Sequence, residues 1–133
     1  MTDIFGLLKG KPEDSDYEKK GVIVQGITGS YGSVHAKQMI AYGTNVVAGV
    51  TPGKGGQKFE GTVPIYNSMQ EAIDATNAKI SIIFVPAKFF LGAAKDALNA
   101  GIKLLVAIPE HVPIRDTMEA LDLAKQKGAV IIG

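Results

Sequence analysis

From Gly21 onward, short apolar runs rich in β-branched residues alternate with stretches of helical period. This pattern constrains the fold most, because an uninterrupted apolar run of this length reads as a strand buried on both faces. Val22-Ile23-Val24 is the first run and ends at Gly26. Asn45 to Val50 is the second, and Val63-Pro64-Ile65-Tyr66 is a shorter one. Ile80 to Val85 stops at Pro86, Lys103 to Ile108 stops at Pro109, and Ala129 to Ile132 precedes Gly133.

The intervening stretches read as helices. Ala36, Met39, Ile40 and Gly43 fall at i, i+3, i+4 and i+7, one helix face with Gly43 as its stop. Ser68-Met69-Gln70-Glu71 is a capping box that opens a helix with Met69, Ala72, Ile73 and Thr76 inward. Phe90, Ala93, Ala94, Ala97, Leu98 and Gly101 keep helical spacing. Pro113 starts the last helix, whose inner side reads as Ile114, Met118, Leu121 and Ala124, with Gly128 ending it.

Strands that alternate with helices predict a mainly parallel sheet with helices on both faces. Right-handed crossovers reduce this to a Rossmann-like, doubly wound α/β fold. The chain's 133 residues suit one domain, expected over residues 21–133. Residues 1–20 read as a lead-in. In it, Asp3-Ile4-Phe5-Gly6-Leu7-Leu8 is expected to form a short amphipathic turn docked on the core, and the polar residues 12–20 are expected at the surface.

Composition narrows the function. A net charge of +1 offers no broad electrostatic attraction to nucleic acid or an anionic membrane. No apolar run approaches the ~20 residues of a membrane span. Lys9, Lys11, Glu13 and Asp14 interrupt any leader-peptide core, so a cytoplasmic protein is expected. The absence of cysteine removes disulfides, thiolate zinc sites and cysteine nucleophiles.

Ligands of doubly wound sheets bind at the carboxyl ends of the strands, which directs attention to four loops. In Gly26-Ile27-Thr28-Gly29-Ser30-Tyr31-Gly32, glycines recur every third residue between a strand and a helix. They allow a tight turn and close approach of a ligand, while the helix N-terminus favours a phosphate. Thr28 and Ser30 add hydroxyl donors; the competing reading is a tight turn alone. At the end of the second strand, Ala48 to Gly56 carries no acid for a ribose but places Lys54 among glycines. That suits a second phosphate, either the 2′-phosphate of NADP or the 3′-phosphate of coenzyme A, unless Lys54 is a solvated loop residue. Val85-Pro86-Ala87 offers a flat apolar wall for an adenine ring, or Pro86 only ends a strand. Ile108-Pro109-Glu110 closes the next strand, where Glu110 either accepts hydrogen bonds from a ligand or caps a helix. His35 and His111 form no metal-binding spacing, and no nucleophile elbow is present. The residues describe a binding site without catalytic machinery.

Several strings then carry a resemblance. Gln25 to Gly32, Ala41-Tyr42-Gly43-Thr44 and Gly49-Val50-Thr51-Pro52-Gly53-Lys54-Gly55-Gly56 resemble the N-terminal, CoA-binding domain of succinate–CoA ligase α-subunits. Val63-Pro64-Ile65-Tyr66-Asn67, Val85-Pro86-Ala87 and Gly101-Ile102-Lys103-Leu104 continue it in order. The resemblance implies that Thr28, Gly29, Ser30, Tyr31 and Gly32 surround the phosphates of coenzyme A, and that Lys54 contacts it. It implies Pro86 near the adenine, and Ile108, Pro109 and Glu110 as a third binding segment. Such ligases join an acid to CoA through an acyl phosphate and a phosphohistidine, with an ATP-grasp β-subunit holding the nucleotide. The phosphohistidine belongs to a second domain that this chain is expected to lack, and neither His35 nor His111 matches its setting. Pro109 stands where threonine is frequent, and Lys88 where a further proline is common. A non-enzymatic CoA- or nucleotide-binding module is the alternative reading, and an NADP-dependent oxidoreductase domain is a third.

Overall fold

A computed structural model describes residues 21–108 and 111–132. The expected lead-in, residues 1–20, lies outside them, as do Pro109, Glu110 and Gly133. In chain order the elements are β1 (Val22–Gln25), α1 (Ser30–Tyr42), β2 (Val46–Val50), β3 (Lys58–Phe59), β4 (Val63–Tyr66) and α2 (Met69–Thr76). There follow β5 (Ile80–Ile83), a 3-10 turn (Ala87–Phe89), α3 (Phe90–Ala100), β6 (Leu104–Ala107), α4 (Ile114–Lys127) and β7 (Val130–Ile132).

The strands form one sheet in the order β3-β4-β2-β1-β5-β6-β7, parallel except for the β3–β4 pair. The doubly wound architecture is therefore as expected. The chain runs from β1 toward one edge, then returns past β1 to build the other half, so the winding reverses between β1 and β5. Such a switch point opens a crevice at the carboxyl ends of the strands. Strand β3 was not foreseen. Two residues are too short for a periodic signal, and the loop read over 51–58 ends in it.

Alternating strand residues feed two cores. Ile23, Ala48, Val50, Ile83 and Leu105 pack with α2, α3 and α4 on one face. Val22, Val24, Ile82 and Val106 lie on the other, with Ala36 and Met39 of α1. Ile40, expected inward, sits at the margin of that face and is 38% exposed. The N-cap of α2 forms as read, the Ser68 hydroxyl accepting from the Glu71 amide at 3.3 Å, while the Glu71 carboxylate reaches one residue further back and accepts from the Asn67 amide at 3.1 Å. Met69, Ala72 and Ile73 are buried, while Thr76 is half-buried and donates to the Ala72 carbonyl at 2.8 Å.

Of the four residues read as the inner side of helix α4, Ala124 is buried but the other three are not. Ala120 and Ala124 are buried and Leu123 is packed beside them, whereas Ile114, Met118 and Leu121 are 78%, 64% and 48% exposed. Two alanines one turn apart let α4 lie close on its neighbours. The Lys95–Glu119 ion pair, at 2.9 Å, holds the side next to α3 in that rotation.

At the centre, Gln25 ends β1 as a buried polar residue. Its amide nitrogen donates to the Ala93 carbonyl of α3 at 3.0 Å, and its amide oxygen accepts from the Ser81 hydroxyl of β5 at 2.8 Å. Both ends of the side chain are satisfied, so β1, β5 and α3 are tied together beneath the strand ends.

Candidate functional site

The turn after β1 is tightly built. Gly26 has φ +82°, and a Cβ on Gly32 would stand 2.2 Å from the Gly26 carbonyl oxygen. Only glycine at position 32 lets the first turn of α1 come this close to the strand end. The Gly29 amide bonds to the Gly26 carbonyl at 3.1 Å, and the Ser33 amide to the Gly29 carbonyl at 2.8 Å. Gly29 is the N-cap and supplies no side-chain cap; the first turn carries no acidic residue. The leading N–H groups of α1 have no partner within the helix, and the dipole adds positive potential. Thr28 and Ser30 are exposed beside them. This end of α1 is suited to an anion.

The second loop follows β2. The Thr28 hydroxyl donates to the Thr51 hydroxyl at 3.0 Å, which joins the two loops. The Thr51 amide bonds to the Tyr66 carbonyl, and the Lys54 amide to the Thr51 carbonyl, each at 3.0 Å. The Asn67 side-chain oxygen accepts from the Gly53 and Gly55 amides at 3.0 and 2.9 Å. A Cβ at Gly55 would meet that side chain at 2.5 Å. Lys54 is therefore exposed on a backbone held from both sides.

Between these loops and α3 lies a half-open cleft of about 500 Å³. Val50, Thr51 and Pro52 form one wall; Val85, Pro86 and Phe89 form the opposite one. Gln25 and Gly26 floor it, and Gly92, Ala93 and Asp96 close the α3 side. Asp96 is held in place by accepting from the Met69 amide at 3.2 Å. Phe89 is 56% exposed, with the Lys88 ammonium 5.1 Å from its ring centroid. Flat apolar walls with polar groups at the rim suit a planar ring whose substituents reach the loops.

The expected residues are distributed around this cleft. Pro86 lines it directly. Thr28, Gly29, Ser30, Tyr31 and Gly32 form the adjoining turn and first helical residues, and Lys54 lies in the Asn67-braced loop. Ile108 follows β6, half-buried on the opposite sheet face, its amide 3.4 Å from the Ile83 carbonyl. Pro109 and Glu110 fall outside the described residues. Thr51, Pro52, Phe89 and Asn67 were not singled out as site residues. The first two lay within a string noted for Lys54 and Asn67 ended the string Val63 to Asn67, while Phe89 preceded the helical row that starts at Phe90. His35 is half-buried, its ring stacked 5.3 Å from that of Phe84. Among the described residues no three His, Asp or Glu side chains group to hold a metal ion. None of the described helices is long and apolar enough to cross a membrane.

Fold and cleft together define a doubly wound α/β domain with an anion-suited loop at its switch point. The model of the family described as "CoA binding domain" matches residues 17–111, and the chain belongs to that family. It is 52% identical over 114 residues to the succinate–CoA ligase [ADP-forming] subunit alpha of Aquifex aeolicus, covering 84% of this chain and 37% of the relative. It is 46% identical over 120 residues to the malate–CoA ligase subunit alpha of Methylorubrum extorquens, covering 87% of this chain and 40% of the relative. The chain thus spans under half the length of these curated relatives. A dinucleotide-forming acetyl-coenzyme A synthetase from Ca. Korarchaeum cryptofilum shares the fold at a TM-score of 0.71 and 21% identity, over 85% of this chain and 25% of that one. The myo-inositol 2-dehydrogenase of Lactobacillus plantarum shares it at 0.64 and 20%, over 84% and 35%.

Proposed function

We propose that this chain holds coenzyme A for acyl-CoA formation by an acid–CoA ligase of the succinate–CoA ligase type. The observation that carries the reading is the Thr28–Thr51 hydrogen bond, which joins an anion-suited helix end to the Lys54 loop beside an apolar cleft. The backbone N–H groups of Thr28, Gly29, Ser30, Tyr31 and Gly32 and the hydroxyls of Thr28 and Ser30 take the diphosphate. Lys54 takes the 3′-phosphate. Pro86, with Val50 and Phe89, sandwiches the adenine. Ile108, Pro109 and Glu110 continue the site toward the pantetheine arm. The binding unit is residues 21–133, and residues 1–20 are a lead-in.

Among the described residues we assign none to the transfer of a phosphoryl or acyl group. The chain presents the thiol, while an ATP-grasp β-subunit and a phosphohistidine domain perform the chemistry. The acids named for the relatives are four-carbon dicarboxylates, and an acid of that class is the substrate proposed for the assembled enzyme. A cytoplasmic setting and a role in the tricarboxylic acid cycle go with this reading.

Calorimetric titration of the purified chain with CoA, NADPH and NADH in parallel tests it. Heat from CoA alone is expected. NADPH binding without CoA would overturn the ligand, and silence from all three would show that this chain does not hold CoA unaided.

A further inference from the structure

The two edges of the sheet are finished differently. Strand β3 is short, carries Lys58 and is followed by Glu60, and brevity with charge keeps an edge from pairing. The run Ala129-Val130-Ile131-Ile132, which contains β7, has neither a charge nor a proline. Strand β7 pairs with β6, and no described strand pairs with its outer side. Ala129 and Ile131 pack toward α4, so alternation turns Val130 and Ile132 to the other face, where they are 58% and 39% exposed. Helix α4 extends this apolar edge. At 3.6 residues per turn, Ile114, Met118 and Leu121 form one exposed stripe roughly 60° wide, which Lys125 bounds at its C-terminal end. Glu119 meets Lys95 of α3, and the stripe lies roughly 130° round the helix from it, on the flank away from α3. Because α4 connects β6 to the edge strand, that flank overhangs the edge.

We propose that this edge joins the same edge of a second copy of the chain, β7 against β7 and antiparallel, about a two-fold axis normal to the sheet. A second copy is the occupant because one symmetry operation serves all the features of the edge. The strands complete each other's ladder. With Ile131 at the axis, Val130 of each copy faces Ile132 of the other as a cross-strand apolar pair. Both α4 helices lie on the same face of the joined sheet, so the axis sets them side by side and antiparallel, stripe against stripe. The charges fit as well. Arg115 and Asp122 border the stripe on one side, two turns apart. In an antiparallel pair the arginine of one copy stands opposite the aspartate of the other, twice by symmetry, so the surface is complementary to itself. Strand β7 is separated from β1 by β5 and β6, which leaves the cleft open in the dimer.

Sedimentation velocity of the full chain over about 1–500 µM tests this, and a monomer–dimer equilibrium within that range is expected. Met118→Glu and Val130→Lys change exposed positions on the two faces of the edge. Each is expected to weaken the dimer at least tenfold while the circular dichroism spectrum stays unchanged. At low ionic strength Arg115→Asp and Asp122→Arg are each expected to weaken it several-fold, and the two together to restore it. Restoration by the double exchange requires that both partners present this same surface. A chain that stays monomeric throughout overturns the proposal and leaves the edge to a different occupant. So does a dimer that neither Met118→Glu nor Val130→Lys weakens, because its contact then lies elsewhere. A double exchange that fails to restore the dimer overturns the two-fold arrangement.

Discussion

Gly32 shows how much of a binding loop is decided by a missing methyl group. A helix interior ordinarily favours Ala over Gly by about 1 kcal/mol. Here the added Cβ would meet the Gly26 carbonyl oxygen at 2.2 Å, a backbone atom that cannot swing away. The clash outweighs the propensity, so Gly32→Ala is expected to lose about 1–3 kcal/mol in a denaturant melt and to weaken CoA binding with it. Lys54 makes the opposite kind of contribution, in affinity alone. Charge-assisted bonds are worth about 1.5–3 kcal/mol, and an exposed lysine delivers the lower end. Lys54→Ala should therefore weaken CoA roughly tenfold in a titration and dephospho-CoA hardly at all; equal losses would remove the 3′-phosphate assignment. Both positions were legible in the sequence, because glycine spacing and a lysine between glycines are local patterns. Phe89 was not, since only the 3-10 turn at Ala87–Phe89 sets its ring beside the cleft.

Among the elements, the loop at 51–56 depends on a side chain that follows β4. Asn67 replaces water as acceptor for two amides, at Gly53 and Gly55. Asn67→Ala should speed hydrogen exchange at those two amides at least tenfold and weaken CoA several-fold. Tm should move little, because exposed hydrogen bonds are worth about 1 kcal/mol or less. Unchanged exchange at both amides would show that the loop holds itself. Helix boundaries were readable from caps and glycine stops, but the rotation of α4 was not. The row expected inward was Ile114, Met118, Leu121 and Ala124, and the row that packs is Ala120, Leu123 and Ala124; the two share only Ala124. Packing chose the second, because alanines permit a closer helix and Glu119 meets Lys95 only in that orientation. Periodicity identifies candidate faces; the neighbouring helix selects among them.

For the molecule as a whole, six of the seven strands and the doubly wound class followed from the alternation of runs and loops. The short antiparallel β3 did not, being too brief to show a period. Gln25 joins β1, β5 and α3 under the site, so binding and folding should be coupled in one unit. At a hundredfold excess over Kd, a ligand adds about 2.7 kcal/mol. CoA should then raise a single unfolding transition by roughly 10 °C in a scanning experiment, with NADPH leaving it in place. Two separated transitions would contradict the coupling. The sheet order also imposes a timetable. Val22 pairs with Val46 on one side and with Ile80 on the other, so the middle strand waits for partners far along the chain. The hairpin from β3 to β4 is the one short-range pairing among the described strands. On a ribosome, β1 emerges ahead of the other described strands and is enclosed late, once the chain has passed Ile83. The most buried part of the sheet is thus the part that spends longest unprotected during synthesis, and refolding belongs with slow, long-range topologies.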